Sequence, residues 1–138
     1  FQNVATDSNG SVEFAVDTND RQSRQSKIAG SESIPGYNVV EWSGIMLDTL
    51  QTEENLPKPT VVKIDVEGAE MKVLHGMEQL LDSVEILYCE IPHSMLANGK
   101  VSGEDVRNLL LTYGFELEVL DEREGGNEFV KATRSDRW

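Results

Sequence analysis

Val61-Val62-Lys63-Ile64-Asp65-Val66-Glu67-Gly68-Ala69-Glu70 is the stretch that decides the fold. Its first six residues are β-branched and nearly continuous, entered through Pro57 and Pro59 and closed by Gly68. That pattern predicts a strand buried on both faces, with Lys63 as the exception. From Ala69 onward Val73, Leu74, Met77, Leu80 and Leu81 recur at helical spacing, while Lys72, Glu78 and Gln79 fall on the opposite side. A helix is therefore expected as far as about Asp82. The next apolar run, Ile86-Leu87-Tyr88-Cys89-Glu90-Ile91, ends at Pro92, which has no N–H to give a sheet ladder. It reads as a parallel neighbour of the first strand, because a helical crossover separates the two.

Ser102 followed by Asp105 has the spacing of a capping box, and Val106, Leu109, Leu110 and Tyr113 continue as a helical stripe to Gly114. Residues 115–121 and 128–132 flank Glu124-Gly125-Gly126-Asn127, whose glycines permit the positive φ of a hairpin connection. The order is that of an α/β fold: a mostly parallel sheet closed by an antiparallel carboxyl-terminal hairpin. Upstream, residues 1–6 form a weak strand candidate that turns at Asp7-Ser8-Asn9-Gly10 into a better one over 11–16. Residues 18–33 are polar and are expected to form a mobile loop, made locally cationic by Arg21, Arg24 and Lys27.

At 138 residues the chain suits one domain. Twelve Lys and Arg against 25 Asp and Glu leave a net charge of −13, which repels phosphate backbones and anionic lipid. Nucleic acid and membrane surfaces are excluded as expected partners. Cys89 is the single cysteine, so no internal disulfide forms and a cytoplasmic location is expected. No run reaches the roughly 20 apolar residues of a membrane helix. Within its apolar strand, Cys89 reads as a small buried hydrophobe, not a nucleophile.

Open α/β sheets bind ligands beyond the carboxyl ends of their strands, where loop backbones and helix amino termini converge. Asp65 ends the first strand and Glu90 stands near the end of the second. Glu67 and Glu70 follow at the turn into the helix, and His93 lies just past Pro92. Such a set suits a general base or a divalent cation. Plainer roles compete. Glu67 and Glu70 also complement a helix dipole, Glu90 is in position to pair with Lys63, and His93 reads as an exposed loop residue. Asp65 is the strongest candidate, because a carboxylate closing a buried strand costs desolvation energy unless paired or used.

The run from Val62 to Glu70, with Val73-Leu74-His75-Gly76 after it, resembles the signature of FkbM-family S-adenosylmethionine-dependent methyltransferases. Leu47-Asp48-Thr49-Leu50, Leu87 to Glu90, and Asp7 with Gly10 are similar to further landmarks of that family, in the same order. The resemblance implies a Rossmann-like sheet, S-adenosylmethionine as cofactor, and methyl transfer to a hydroxyl oxygen of a sugar or other small metabolite. It also implies Asp65 beside the reacting centre and the cofactor, Glu67 and Glu90 in support, His93 as an alternative base, and Ala5 and Asp7 toward the adenine. No metal is implied. The family holds its cofactor chiefly through a glycine-rich turn after the first strand, yet no G-x-G-x-x-G occurs in this sequence. The chain is thus expected to be a carboxyl-terminal portion lacking the first strands. The alternative is a noncatalytic assembly module, a homo-oligomer pairing through the sheet edge so exposed.

Overall fold

The computed structural model describes residues 1–17, 27–28, 37–66, 68–93, 101–122 and 124–134. They form two sheets. The first holds β1 (Val4–Ala5), β2 (Gly10–Asp17), β3 (Lys27–Ile28) and β4 (Tyr37–Ile45) in the order β1-β4-β2-β3. After α1 (Leu47–Glu53) comes the second, with β5 (Val61–Ile64), β6 (Ile86–Ile91), β7 (Glu116–Glu122) and β8 (Glu128–Thr133) in the order β5-β6-β8-β7. Helices α2 (Glu70–His75) and α3 (Glu78–Leu81) cross from β5 to β6, and α4 (Gly103–Thr112) precedes the final hairpin.

The α/β class holds, and β5 and β6 are parallel as expected, Ile64 standing opposite Cys89. The sheets are mixed rather than mostly parallel. Among the described strands only β1–β4 and β5–β6 run parallel, while β2–β3, β2–β4, β6–β8 and β7–β8 are antiparallel. Much of the difference is the β2–β4 arm. Strand β4 was not foreseen because its apolar residues have no core to face: Val39, Val40 and Trp42 all remain exposed. Of the loop expected over 18–33, residues 27–28 instead form β3 against β2, and the remainder lies outside the described residues.

Strand β5 is also not buried on both faces. Val61 is 57% exposed and Val66 37%, and only Ile64 is buried, because among the described strands β5 pairs with β6 alone and forms the sheet's edge. Burial instead alternates along β6, where Leu87, Cys89 and Ile91 join Val130 and Ala132 of β8 in the core. Val73, Leu74, Leu80, Leu81, Val106 and Leu110 from the helices cover that face. Burying one such Leu or Val contributes about 1.5–3 kcal/mol, so this layer supplies the main stabilisation.

The single helix predicted over 69–82 is two short ones. Gly76 interrupts it where the chain touches β1: a Cβ there would stand 2.0 Å from the Thr6 carbonyl oxygen. Asp48 then starts α3 from outside, its Oδ2 accepting from the Gln79 N–H at 2.9 Å and its Oδ1 from the Leu80 N–H at 3.0 Å. The Asp48 N–H in turn donates to the Gly76 carbonyl at 3.0 Å. The Leu47-Asp48 landmark is thereby a trans-acting helix cap. At α4 the expected capping box is complete, with Ser102 and Asp105 each bonded to the other's backbone. No helix among the described residues is long and apolar enough to cross a membrane.

Candidate active site

Ile64 and Cys89 are in register, so Asp65, the first residue past β5, comes level with Glu90, the next-to-last residue of β6. Beyond β5 the chain turns through Gly68, whose φ of 100° is open to glycine without strain. The Gly68 N–H donates to Glu70 Oε1 at 3.0 Å, folding the buried Glu70 carboxylate back over the turn it follows. Glu70, read from sequence as a helix-dipole residue, is therefore an interior acid of the rim. Cys89 registers the same convergence: burial, then the charges of Glu70, Glu90 and Asp65, push its thiol far above its ordinary range. Like the sequence reading, this leaves Cys89 a protonated core residue.

Asp65 is not buried. Its carboxylate pairs with Lys63 Nζ at 2.8 Å, where the two side chains are 38% and 59% exposed. An ion pair so open to water contributes only about 0–1 kcal/mol, so Asp65 can exchange Lys63 for a ligand at little cost. The desolvation argument for Asp65 falls with its exposure; its place at the strand tip remains. Lys63, expected opposite Glu90, thus bridges to Asp65. Glu90 is half-buried and accepts from Asn127 Nδ2 at 3.0 Å.

His93 is exposed, as its loop position suggested, and its backbone N–H donates to Asn127 Oδ1 at 3.3 Å. The final hairpin lies against it. A Cβ on Gly126 would come 3.0 Å from His93 Cγ, and Gly125 and Gly126 both adopt positive φ. Asn127 and Gly126 were legible only as turn residues; nothing in their spacing says that the turn reaches Glu90 and His93. Glu67 lies outside the described residues.

Ala5 is the last residue of β1, and Asp7 follows two residues on. Ala5 packs against the core, and exposed Asp7 accepts from Thr6 Oγ1 at 3.1 Å and stands 3.8 Å from Lys72 Nζ. A shallow groove of about 490 Å³ opens beside them, lined by Thr6, Ser8, Ser11, Glu13, Glu41 and Lys72. Among the described residues, no three His, Cys, Asp or Glu side chains are grouped to hold a metal ion.

Residues 2–117 match the family described as the methyltransferase FkbM domain. The chain belongs to that family. Over 72 residues it is 43% identical to the hexuronic acid methyltransferase AglP of Haloferax volcanii, a match that covers 52% of this chain and 28% of that protein. The chain thus spans well under two thirds of the length of this relative. No solved structure gives a significant match. With the FkbM family established, Asp65, Glu70 and Glu90 become acids on one rim of a methyltransferase domain.

Proposed function

We propose that this chain forms part of an enzyme that moves a methyl group from S-adenosylmethionine to a hydroxyl oxygen of a small sugar acceptor. The observation that carries the reading is the parallel register of β5 and β6, which brings Asp65, just past β5, level with Glu90 near the end of β6. When bound, S-adenosylmethionine supplies an electrophilic methyl group on a positively charged sulfur. The donor set suits it: a rim of carboxylates matches the sign of the sulfonium and of the amino group. Asp65 is the residue to hold that cation, with Asp7 and Ala5 toward the adenine.

Alignment is the chief demand of methyl transfer, followed by removal of the acceptor's proton. Glu90, held by Asn127, receives that proton on a carboxylate oxygen; Asp65 orients the hydroxyl, with Glu67 in support, and His93 is the alternative base. An acceptor of the hexuronic acid class, the class named for the relative AglP, offers hydroxyl and carboxyl oxygens. A base is useful only toward the hydroxyl, since a carboxylate is already ionised and meets like charge at this rim. Transfer of labelled methyl to a hexuronic acid glycan should therefore give an alkali-stable ether. An alkali-labile ester would move the reaction to the carboxyl group, and no transfer to any sugar would reject the reading.

The finer architecture belongs to the same proposal. The open edge of β5 is where a Rossmann-like sheet would add its first strands, making this chain the carboxyl-terminal part of the catalytic domain. The buried, unbridged Cys89 suits the cytoplasm. That open edge also favours a second reading, an assembly module in which β5 pairs with a second copy. A stable dimer that binds no S-adenosylmethionine would favour it.

A further inference from the structure

Two of the proposed site residues, Glu90 and His93, lie on β6 and its exit, yet they are tied together by a side chain from the other end of the sequence. Asn127 Nδ2 donates to Glu90 Oε1 at 3.0 Å, and Asn127 Oδ1 accepts from the His93 N–H at 3.3 Å. Chemistry fixes which way the amide points: the His93 N–H can only donate and an ionised carboxylate can only accept. Asparagine alone among residues of this length presents an acceptor and a donor in that fork. Aspartate would set two carboxylates face to face, and leucine would leave both partners bare.

The hairpin is shaped to deliver this fork. Gly125 and Gly126 at φ 88° and 84° fold the turn back toward β6, and at Gly126 a side chain would press on the His93 ring, 3.0 Å from Cγ. Strand β8 continues from Asn127 in register with β6, Glu128 opposite Ile91 and Phe129 opposite Glu90. Glu90 is thereby fixed from two directions, along its own strand and through the Asn127 amide.

We infer that Asn127 is a positioning residue for methyl transfer, anchored by the His93 N–H and holding the Glu90 carboxylate toward the acceptor. The inference rests on the proposed role of Glu90, and kinetics of the full-length protein separate the two. Asn127→Ala should lower kcat by about 10- to 100-fold, the cost of a misplaced reacting group, while KM for S-adenosylmethionine and the melting temperature hold steady. Asn127→Asp keeps the size, the turn preference and the acceptor for His93 but turns the donor into a like charge, so its loss should equal or exceed that of Ala. In a Glu90→Gln background, Asn127→Ala should add less than about a twofold effect, because a positioning residue acts only through its partner. Wild-type turnover in Asn127→Asp, or full multiplication of the two defects, would overturn the role of Asn127 and leave that of Glu90 standing. Wild-type turnover in Glu90→Gln would overturn both.

Discussion

Replacing Asp48 with Ala removes the side chain that caps the start of α3. Its two oxygens accept from the Gln79 and Leu80 N–H groups at 2.9 and 3.0 Å. Loss of a cap costs about 0.5–2 kcal/mol. The two orphaned donors then differ. Gln79 is exposed, so its N–H can turn to water, whereas Leu80 is buried and an unsatisfied donor there adds about 1–3 kcal/mol. The sum places Asp48→Ala at about 1.5–5 kcal/mol of lost stability. Asp48→Asn keeps one acceptor oxygen and should lose about half as much. Urea unfolding checks both, read as a lower midpoint at unchanged slope. Asp48 binds at the end of α2 remote from Glu70, so the folded fraction should turn over normally. A loss below about 0.5 kcal/mol, or an Asn variant as damaged as Ala, would refute the trans-cap account.

Gly76→Ala should destabilise by at least about 1–3 kcal/mol, since its Cβ would meet the backbone oxygen of Thr6 at 2.0 Å; a thermal melt unchanged from wild type would contradict that contact. Cys89 should resist thiol reagents in the native state and react only on unfolding, because burial and then the nearby Glu70, Glu90 and Asp65 charges hold its proton. Its pKa is raised on folding, so its contribution to stability is complete below the unfolded thiol value of about 8.5 and declines as pH rises beyond it. A Cys89→Ala variant should therefore lose less stability than wild type between neutral and alkaline pH. Asp105 shows the opposite sign. Hydrogen bonds from the Ser102 backbone and then its side chain hold the Asp105 carboxyl below its usual range. That stabilisation is present above the unfolded value of about 3.9 and is lost as pH falls through the depressed folded value. The stability gap between wild type and Asp105→Asn should thus be level above about pH 5 and narrow in stronger acid.

The second sheet was legible because its signals are local and agree with its packing. The apolar run at Ile86 to Ile91, the Ser102–Asp105 box and the Gly125-Gly126 turn all appear where their residue types predict. The first sheet was harder to read. Val39, Val40 and Trp42 lie on a strand whose partners are distant in sequence and whose side chains stay exposed, so no buried face betrays it. The exposure of Val61 is hidden for a related reason: a β-branched run cannot say whether its strand has one neighbour or two. At the site, the acids Asp65 and Glu90 were visible from their places at strand ends. The burial of Glu70 and the reach of Asn127 to Glu90 were not, because both depend on contacts that close only when the turn at Gly68 and the final hairpin fold onto the rim.

In the proposed mechanism the exposed tip of β5 serves the reaction itself. The direct measurement compares Asp65→Ala with wild type in the full-length protein, following labelled methyl transfer to a hexuronic acid acceptor alongside calorimetric binding of S-adenosylmethionine. Turnover should fall by about 100-fold or more while cofactor affinity changes by no more than about tenfold, since aligning the acceptor weighs more heavily than holding the donor. Equal turnover in the two proteins would remove Asp65 from the mechanism and contradict the account.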